Sequence, residues 1–519
     1  MRLDRNFVLR IVIIVIGLSA LVLSACSVVA PPPATPTPTS TPTLTSSPVP
    51  TLTATAVPPT PIPTETPAPT LIPSATPTTA PTLPPTTAPQ ETVLFTNDNW
   101  EFLDLPGDMN ARLNNPLIAF MNTNNRTVTG GTPQPGNDIE TLYYVSPTNS
   151  AGRVAIKAFD SSTNNQIYIA PSGNAFAYMR LDAGTSANGL YIADFNVGVT
   201  VRVLPIASLT QRGIFNEPHW KRDGSALAIA LATGYDLDIY TISREGAWAS
   251  LINGGSYDFW ARWSPDGNYL AFVSDRLTCP SWRPGEAATC DGTGAPPPSG
   301  GHVFVLETAT GRISQISDAA VFEPPRWVTP RQIAYVIGDP LFGDPERALY
   351  IADIFSGEVR TVRLNTGDMP LKLAESWSPN GQQVIFQAAS DTTAIVLAQS
   401  SGAEIARISD LTFSRYGMAA AWSPDGTRIA IGGVAGQCPY GVIVTDSALE
   451  SIARGNPPPS MCEPTFSPDG RWLAFTGVIA SRDGRVDIYA AGNNGFGAVN
   501  LTGSLLGNID LIGWVGGTG

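Results

Sequence analysis

The sequence predicts an all-β body assembled from repeated antiparallel hairpins, and three observations lead to that prediction. First, a Ser-Pro-Asp/Asn-Gly turn follows a bulky aromatic residue in four places, RWSPDGNYLAF (262–272), SWSPNGQQVIF (376–386), AWSPDGTRIAI (421–431) and TFSPDGRWLAF (465–475). Second, each turn leads into a short apolar run of strand length. Third, the copies recur at intervals typical of a repeat architecture.

The turns themselves predict hairpins. Proline presets φ at the second turn position, and glycine supplies the positive φ that lets the next strand fold back. We expect Asp266, Asp425 and Asp469 to accept hydrogen bonds from their own turn backbones. A calcium site is the alternative for such aspartates, but the sequence lacks the Asp-x-Asp-x-Asp-Gly pattern of a calcium loop.

Two repeated features set the number of repeats. A three-residue apolar core recurs eight times, at 118–120, 176–178, 227–229, 270–272, 333–335, 384–386, 429–431 and 473–475. Seven of the eight cores have Ala at the centre, where a small side chain lets neighbouring sheets approach closely. An anchor residue precedes most cores, namely Ile169, Trp220, Trp263, Trp327, Trp377, Trp422 and Phe466.

The two unmatched features complete each other. The core around Ala119 lacks an anchor, and Trp514 is an anchor that lacks a core. We therefore expect the C-terminal strand to pair beside the first strands, which closes a ring and removes exposed sheet edges. Anchors lie 43 to 64 residues apart, near the period of a four-stranded blade. The count favours a β-propeller of eight four-stranded blades, with seven or six as alternatives.

These Trp-Ser-Pro-Asp-Gly turns resemble those of TolB-type bacterial β-propellers, a WD-like family. The resemblance covers residues 117–519 and implies a propeller over that range. Residues 91–116 match no repeat, and we interpret them as a lead-in segment that packs on the ring.

The N-terminus indicates export. A basic start precedes the apolar run 11–23, and Leu23-Ser24-Ala25-Cys26 resembles a bacterial lipobox. That resemblance implies a lipoprotein signal peptide over 1–26 and lipidation of Cys26. An uncleaved membrane helix over 11–30 is the alternative. Either reading places the C-terminal body outside the cytoplasm, anchored to the cell membrane and facing the periplasm or the cell surface.

Residues 27–90 predict a disordered linker. The stretch 31–90 contains 20 Pro and 19 Thr and only one charged residue, Glu65. Such a segment cannot bury a core and stays extended, at about 3 Å per residue where it is polyproline-like. It therefore acts as a spacer between the membrane and the body.

Cysteine usage agrees with an oxidising compartment. With Cys26 assigned to lipid, Cys279, Cys290, Cys438 and Cys462 remain, and three disulfide pairings are possible. The local pairs 279–290 and 438–462 are the most economical. A metal site is the rival interpretation, but no Cys-x-x-Cys is present.

Charge and motifs restrict the function. A formal net charge of −13 without a Lys/Arg cluster argues against nucleic acid as a partner. The chain has two histidines, His219 and His302, and we interpret both as packing or strand-edge residues. It contains no nucleophile elbow, no zinc-protease motif and no phosphate loop. We therefore expect no enzyme activity, no catalytic residues, no metal and no cofactor.

Loop lengths indicate a binding face. Loops after the second strand of each blade are often long, and together they decorate one face of the ring. The insertion 275–301 contains Trp282 and Arg283, residue types enriched at interface hot spots. We expect a monomer that binds a protein or glycan partner on this face; the alternative for Trp282 is that it covers the loop's own small core. A funnel-centred enzyme, such as a polysaccharide lyase or hydrolase, and a structural envelope component are the competing functions.

Overall fold

The recurring turns each connect two paired strands, and the body of the protein is built from such hairpins. The computed structural model describes residues 100–517 apart from short internal segments. Those segments are 126–137, 161–165, 181–187, 206–216, 287–288, 291–299, 339–347, 365–374, 390–392, 410–416, 435–437, 439, 451 and 479–484.

The described strands form four-stranded antiparallel meanders, which we number 1 to 8 along the chain. A short strand β1 (Trp100–Phe102) and a helix α1 (Met109–Arg112) precede them. Meander 1 consists of β2 (Leu117–Asn125), β3 (Asp138–Ser146), β4 (Asn149–Asp160) and the last strand, β32 (Asn508–Val515). Meander 2 consists of β5 (Gln166–Ile169), β6 (Ala175–Arg180), β7 (Gly189–Asp194) and β8 (Val199–Pro205).

The next four meanders follow the chain without a crossover. Meander 3 consists of β9 (His219–Trp220), β10 (Ala226–Ala232), β11 (Leu237–Ser243) and β12 (Trp248–Ile252). Meander 4 consists of β13 (Asp258–Trp263), β14 (Tyr269–Ser274), β15 (His302–Glu307) and β16 (Arg312–Gln315). Meander 5 consists of β17 (Arg326–Trp327), β18 (Gln332–Ile337), β19 (Ala348–Asp353) and β20 (Val359–Leu364). Meander 6 consists of β21 (Ser376–Trp377), β22 (Gln383–Ala389), β23 (Thr393–Gln399) and β24 (Glu404–Ile408).

The last two meanders share a strand. Meander 7 consists of β25 (Met418–Trp422), β26 (Arg428–Gly433), β27 (Tyr440–Asp446) and β28 (Ile452–Phe466). Meander 8 consists of the same β28 with β29 (Trp472–Val478), β30 (Val486–Gly492) and β31 (Val499–Asn500). The first part of β28 pairs with β27 and the second part pairs with β29. These two meanders are therefore one seven-stranded sheet, and the all-β prediction is confirmed.

The repeated turns are held by a side-chain network that explains their sequence. Ser264 Oγ donates to Asp266 Oδ1 at 2.6 Å and accepts from the backbone N–H of Tyr269 at 2.9 Å. The N–H of Asn268 donates to Asp266 Oδ1 at 3.2 Å, and Gly267 has a φ of 71°. Asn380, Asp425 and Asp469 fill the place of Asp266 in meanders 6, 7 and 8. The predicted bonds between the turn aspartates and their own backbones are therefore present.

Apolar side chains fill the space between successive meanders. Leu227 and Ile229, on one face of β10, pack against meander 2, whereas Ala228 and Ala230, on its other face, pack against meander 4. Similar clusters join meander 1 to 2, 4 to 5, 5 to 6, 6 to 7 and 7 to 8. Face-to-face packing of consecutive meanders is the arrangement of a β-propeller.

The two ends of the repeat region meet in meander 1. Strand β32 pairs antiparallel with β2, from Leu117 opposite Val515 to Thr123 opposite Asn508. The pairing that the unmatched Ala119 core and the unmatched Trp514 anchor predict is therefore present. Ile118 and Phe120 of β2 also share an apolar cluster with Ala474 of meander 8.

The described part of the lead-in, 100–116, packs on the first two meanders. Strand β1 extends meander 2 by pairing antiparallel with β8. Met109 and Leu113 are buried in the cluster between meanders 1 and 2. The N–H of Gly517 donates to the carbonyl oxygen of Leu113 at 2.9 Å, so the lead-in also contacts the end of the chain.

The predicted signal peptide, Cys26 and the predicted linker 27–90 lie outside the described residues. In the part of the chain that the structure describes, no helix has the length and apolar character needed to cross a membrane.

The anchor tryptophans join neighbouring meanders through a repeated hydrogen bond. At three interfaces the indole Nε1 of the anchor donates to the backbone carbonyl oxygen of the residue that precedes the anchor of the previous meander. The three pairs within meanders 2 to 7 are Trp220 to Tyr168 at 2.9 Å, Trp327 to Arg262 at 2.9 Å and Trp422 to Ser376 at 3.1 Å. A neutral hydrogen bond of the same kind therefore joins meander 2 to 3, meander 4 to 5 and meander 6 to 7. The buried Nε1 atoms of Trp263 and Trp377 have no hydrogen-bond partner among the described residues.

Candidate ligand-binding pocket

The residue before the anchor has a second role, because it lines a pocket. Tyr168, His219, Arg262 and Arg326 occupy this position in meanders 2, 3, 4 and 5, and all four contribute to the wall of one pocket of about 640 Å³. Because the first strands of neighbouring meanders lie side by side, the residues before their anchors come close together. The volume lies within the ordinary range for small-molecule sites.

The pocket is located at the turn end of the first strands. Its wall includes Pro171, Arg222 and Pro265, each of which is the second residue of a first hairpin turn. The long loops follow the second strands and therefore lie at the opposite end of the sheets. The binding face predicted from loop length and the pocket are thus on different faces, and a partner on the long-loop face remains a prediction.

Three arginines make the pocket wall cationic. Arg222, Arg262 and Arg326 line it, and its lining contains no Asp or Glu. Arg262 Nη2 forms an ion pair with Glu217 of meander 3, and Arg326 Nη1 forms one with Glu375 at 3.0 Å. These pairs join meander 4 to 3 and meander 5 to 6 and hold both guanidinium groups in place.

His219 lies in the same wall as a neutral imidazole. Its Nδ1 accepts a hydrogen bond from the backbone N–H of Trp263 at 3.1 Å. Burial, with a smaller contribution from the nearby Arg262 charge, lowers the pKa of His219 to about 4. The positive charge of the wall at neutral pH therefore comes from arginine alone. The expectation that His219 is a packing residue agrees with the hydrogen bond that its Nδ1 accepts from Trp263. It did not include the position of His219 in the pocket wall.

Lys221 and Arg222 depart from the repeat. In meander 3 the turn after the anchor reads Lys-Arg-Asp-Gly, where meanders 4, 7 and 8 have Ser-Pro-Asp-Gly. Lys221 Nζ lies 4.5 Å from the centre of the Trp263 ring, a cation–π contact. Arg222 is exposed and forms no hydrogen bond or ion pair with any residue that the structure describes. The replacement of Ser-Pro by Lys221-Arg222 is visible in the sequence, but no binding site was predicted from it.

The predicted binding residue Trp282 is placed inside its own loop. Its side chain is 8% exposed, and its ring stacks on Tyr257 at a centroid distance of 5.1 Å. Its Nε1 donates to Asp275 Oδ2 at 2.8 Å. This geometry agrees with the alternative interpretation, in which Trp282 covers the small core of its own loop. A partner could touch this ring only after the loop opened.

Arg283 belongs to a buried ionic cluster between meanders 3 and 4. It forms ion pairs with Asp236 and Asp238, and Arg276 Nη2 lies 2.8 Å from Asp258 Oδ1. The Asp238 and Asp258 side chains are fully buried. Burial raises the pKa of Asp238 to about 7 and also raises that of Asp258. The guanidinium groups of Arg283 and Arg276 therefore pair with carboxylates of the protein itself, which argues for a structural role of this loop.

Both local disulfides form. Cys279 and Cys290 are joined with a Cα–Cα distance of 5.9 Å, and Cys438 and Cys462 with one of 5.0 Å. Cys438 follows β26 of meander 7, and Cys462 lies in the part of β28 that pairs with β29. The second disulfide therefore staples meander 7 to meander 8. Within the described ranges, no group of three or more His, Cys, Asp or Glu side chains could hold a metal ion.

Comparison with known proteins finds similarity of architecture. No family model matches the chain. An oligogalacturonate lyase in complex with manganese is 12% identical, with a TM-score of 0.41 over 73% of this chain and 97% of the lyase. TolB from Acinetobacter baumannii is 16% identical, with a TM-score of 0.30 over 56% of this chain and 62% of TolB. A eukaryotic initiation factor is 11% identical, with a TM-score of 0.47 over 76% of this chain and 98% of the factor.

Sequence reasoning singled out the long loop and missed the pocket. The residues before the anchors differ in type, as Tyr168, His219, Arg262 and Arg326 show, so no motif marks them. The signal that could have found them is positional. The corresponding residues of the other four meanders are small, namely Ser376, Ala421, Thr465 and Gly513.

Proposed function

We propose that this protein is an extracytoplasmic propeller that binds a ligand in the pocket at the turn end of meanders 2 to 5. The observation that carries the proposal is the convergence of Tyr168, His219, Arg262 and Arg326, from four consecutive repeats, on one wall. Rigid scaffolds that bring side chains from several repeats to one concavity are typical binding proteins.

The scaffold in this proposal is a closed ring of eight blades of the TolB type. The shared clusters from meander 1 round to meander 8 and back to meander 1 support closure. Eight meanders of similar size support the count. A propeller leaves only short, protected sheet edges, which disfavours strand-mediated association and supports a monomer.

The location in this proposal comes from the N-terminus. Lipidation of Cys26 anchors the protein to the cell membrane, and the Pro/Thr-rich linker carries the body away from it. The disulfide-bonded cysteines support an oxidising compartment. In this arrangement the binding partner is a protein or glycan outside the cytoplasm.

A funnel-centred enzyme is the second candidate, since His219 lies beside two arginines in the pocket. With a pKa of about 4 and Nδ1 already accepting a hydrogen bond, His219 is a weak base at neutral pH. A His219→Asn variant that keeps full turnover of any candidate substrate rules out this chemistry.

The test is recovery of a partner by the body of the protein, residues 91–519. The pocket variant R326M/E375Q removes both charges of one ion pair, and R407M/E404Q removes an exposed pair of meander 6 as the matched control. We expect membrane or envelope material captured by the wild type to be lost with R326M/E375Q and kept with the control. Equal recovery by both variants, with unchanged thermal unfolding, contradicts binding at the pocket.

A further inference from the structure

The turn of meander 3 contains two cations that its fold does not require. Gly224 has a φ of 68°, and the N–H of Ser225 donates to Asp223 Oδ1 at 2.9 Å, so Asp223 and Gly224 keep the roles that these residue types have in the other turns. At the first two positions, Ser and Pro stabilise the turns of meanders 4, 7 and 8, because the Ser hydroxyl bonds the turn backbone and Pro presets φ. Lys221 and Arg222 give up both contributions.

Arg222 is available to a ligand. It lines the pocket, its side chain is exposed, and it pairs with no residue that the structure describes. Lys221 is held beside it through the cation–π contact with Trp263. A guanidinium presents a planar fork of N–H donors that matches the two oxygens of a carboxylate.

One arginine of the pocket wall is left to bind an anion. Of its three arginines, Arg262 and Arg326 are compensated by Glu217 and Glu375, which leaves Arg222 uncompensated. The excess is local, since the whole chain has a formal net charge of −13. The planar guanidinium of Arg222 therefore offers one fork of donors, which matches a single carboxylate.

The rest of the wall is largely apolar. Trp220, Trp263 and Trp327 contribute to it, together with Pro171, Pro218, Pro265 and Pro325. Such surfaces suit the apolar faces of a ring, and the volume of about 640 Å³ admits a molecule of a few rings. The matching ligand thus combines a ring with one carboxylate.

We propose that the pocket recognises the carboxylate of a ring-bearing small ligand and that Arg222, supported by Lys221, is the recognition residue. This inference rests on the proposed binding function. Two sources supply that chemistry, a sugar acid and the C-terminal residue of a peptide, and both are tested below.

The variant K221S/R222P restores the Ser-Pro-Asp-Gly sequence of the other turns, so it is expected to fold with equal or higher thermal stability. The control R312S/R407S removes the same two charges from exposed strand positions away from the pocket. Titrations use D-glucuronate with D-glucose as its neutral counterpart, and N-acetyl-phenylalanine with its amide. Binding is measured by isothermal titration calorimetry and by NMR at low salt.

We expect one of the two acids to bind at least about tenfold more tightly than its neutral counterpart, which corresponds to one charge-assisted hydrogen bond. K221S/R222P should lose that difference and the control should keep it. Added salt should weaken the wild type and leave K221S/R222P unchanged. Which acid binds identifies the source.

Several results overturn the inference. The first is that each acid binds no more tightly than its neutral counterpart, and the second is that K221S/R222P binds the acid as tightly as the wild type. The third is that inorganic phosphate binds more tightly than either acid, and the fourth is that neither acid binds at millimolar concentration. If partner capture is lost with R326M/E375Q but kept with K221S/R222P, the pocket function stands and carboxylate recognition fails. If an acid binds through Arg222 but no captured partner depends on the pocket, carboxylate recognition stands and the proposed capture of a partner at the pocket fails.

Discussion

The indole Nε1 of Trp514 donates a hydrogen bond of 2.9 Å to the backbone carbonyl oxygen of Thr465. Trp514 lies in the last strand and Thr465 in the shared strand β28, so this bond joins meander 1 to meander 8. It repeats the contact between the anchor tryptophan and the preceding repeat that is present at three other interfaces. The contact between meanders 1 and 8 is therefore of the same kind as the contact at those three interfaces.

We expect Trp514→Phe to lower the free energy of unfolding by about 1 kcal/mol more than Trp377→Phe. The first variant removes a donor that is paired with Thr465, whereas the buried Nε1 of Trp377 has no hydrogen-bond partner among the described residues. Both variants make the same change in side-chain size. Urea unfolding followed by fluorescence measures the difference, and equal midpoints contradict a role of this bond in stability.

We expect Asp425→Asn to leave stability nearly unchanged and Asp425→Ala to lower it by about 1 kcal/mol. The hydroxyl of Ser423 and the backbone N–H of Thr427 donate to Asp425 and lower its pKa. Asn380 makes the same contacts in meander 6, with its Oδ1 accepting from Ser378 Oγ at 2.8 Å. Thermal unfolding of the two variants, with and without calcium, is the measurement. A shift on adding calcium to the wild type favours the calcium alternative.

We expect His219 to make the protein less stable in mild acid. Burial lowers its pKa from 6.5 to about 4, so between these pH values the unfolded chain binds a proton that the folded chain does not. Stability is therefore lost as pH falls through this window, by at most about 3 kcal/mol. His219→Asn keeps an acceptor near the N–H of Trp263 and should flatten this part of the profile. Parallel pH profiles of wild type and variant in urea contradict the expectation.

We expect Cys438→Ser/Cys462→Ser to lower the free energy of unfolding by about 3 kcal/mol, because the crosslink restricts the unfolded chain. The Cys279→Ser/Cys290→Ser variant should lower the free energy of unfolding slightly less, since the disulfide that it removes closes a shorter loop, with a separation of 11 rather than 24 residues. Urea unfolding with and without reductant measures both. Retained sensitivity of the four-serine variant to reductant shows that another process is responsible.

The hairpins were predictable because their determinants are local. Ser264, Pro265, Asp266 and Gly267 form their turn with one another and with the next two residues, so four letters of sequence are sufficient. The pairing of β32 with β2 was predictable for a different reason. One core and one anchor were left without partners, and a ring satisfies both.

The pocket was not predictable by motif because its residues are related by register and not by type. Arg262 and Arg326 are neighbours of ordinary anchors, and only the packing of consecutive meanders brings them together with His219. The contacts of Trp282 were not predictable by motif for a similar reason. Tyr257, its stacking partner, lies 25 positions away, at the start of the strand on which the loop folds back.

The shared strand β28 has a consequence for how the molecule opens. A backbone that is hydrogen-bonded on both flanks, to β27 and then to β29, cannot leave one meander without disturbing the other. With the crosslink between Cys438 and Cys462 at the same junction, residues 418–500 should exchange their amide protons as a single cooperative unit. Local opening is then expected at the other interfaces between meanders, which include the three among meanders 2 to 5 that surround the pocket.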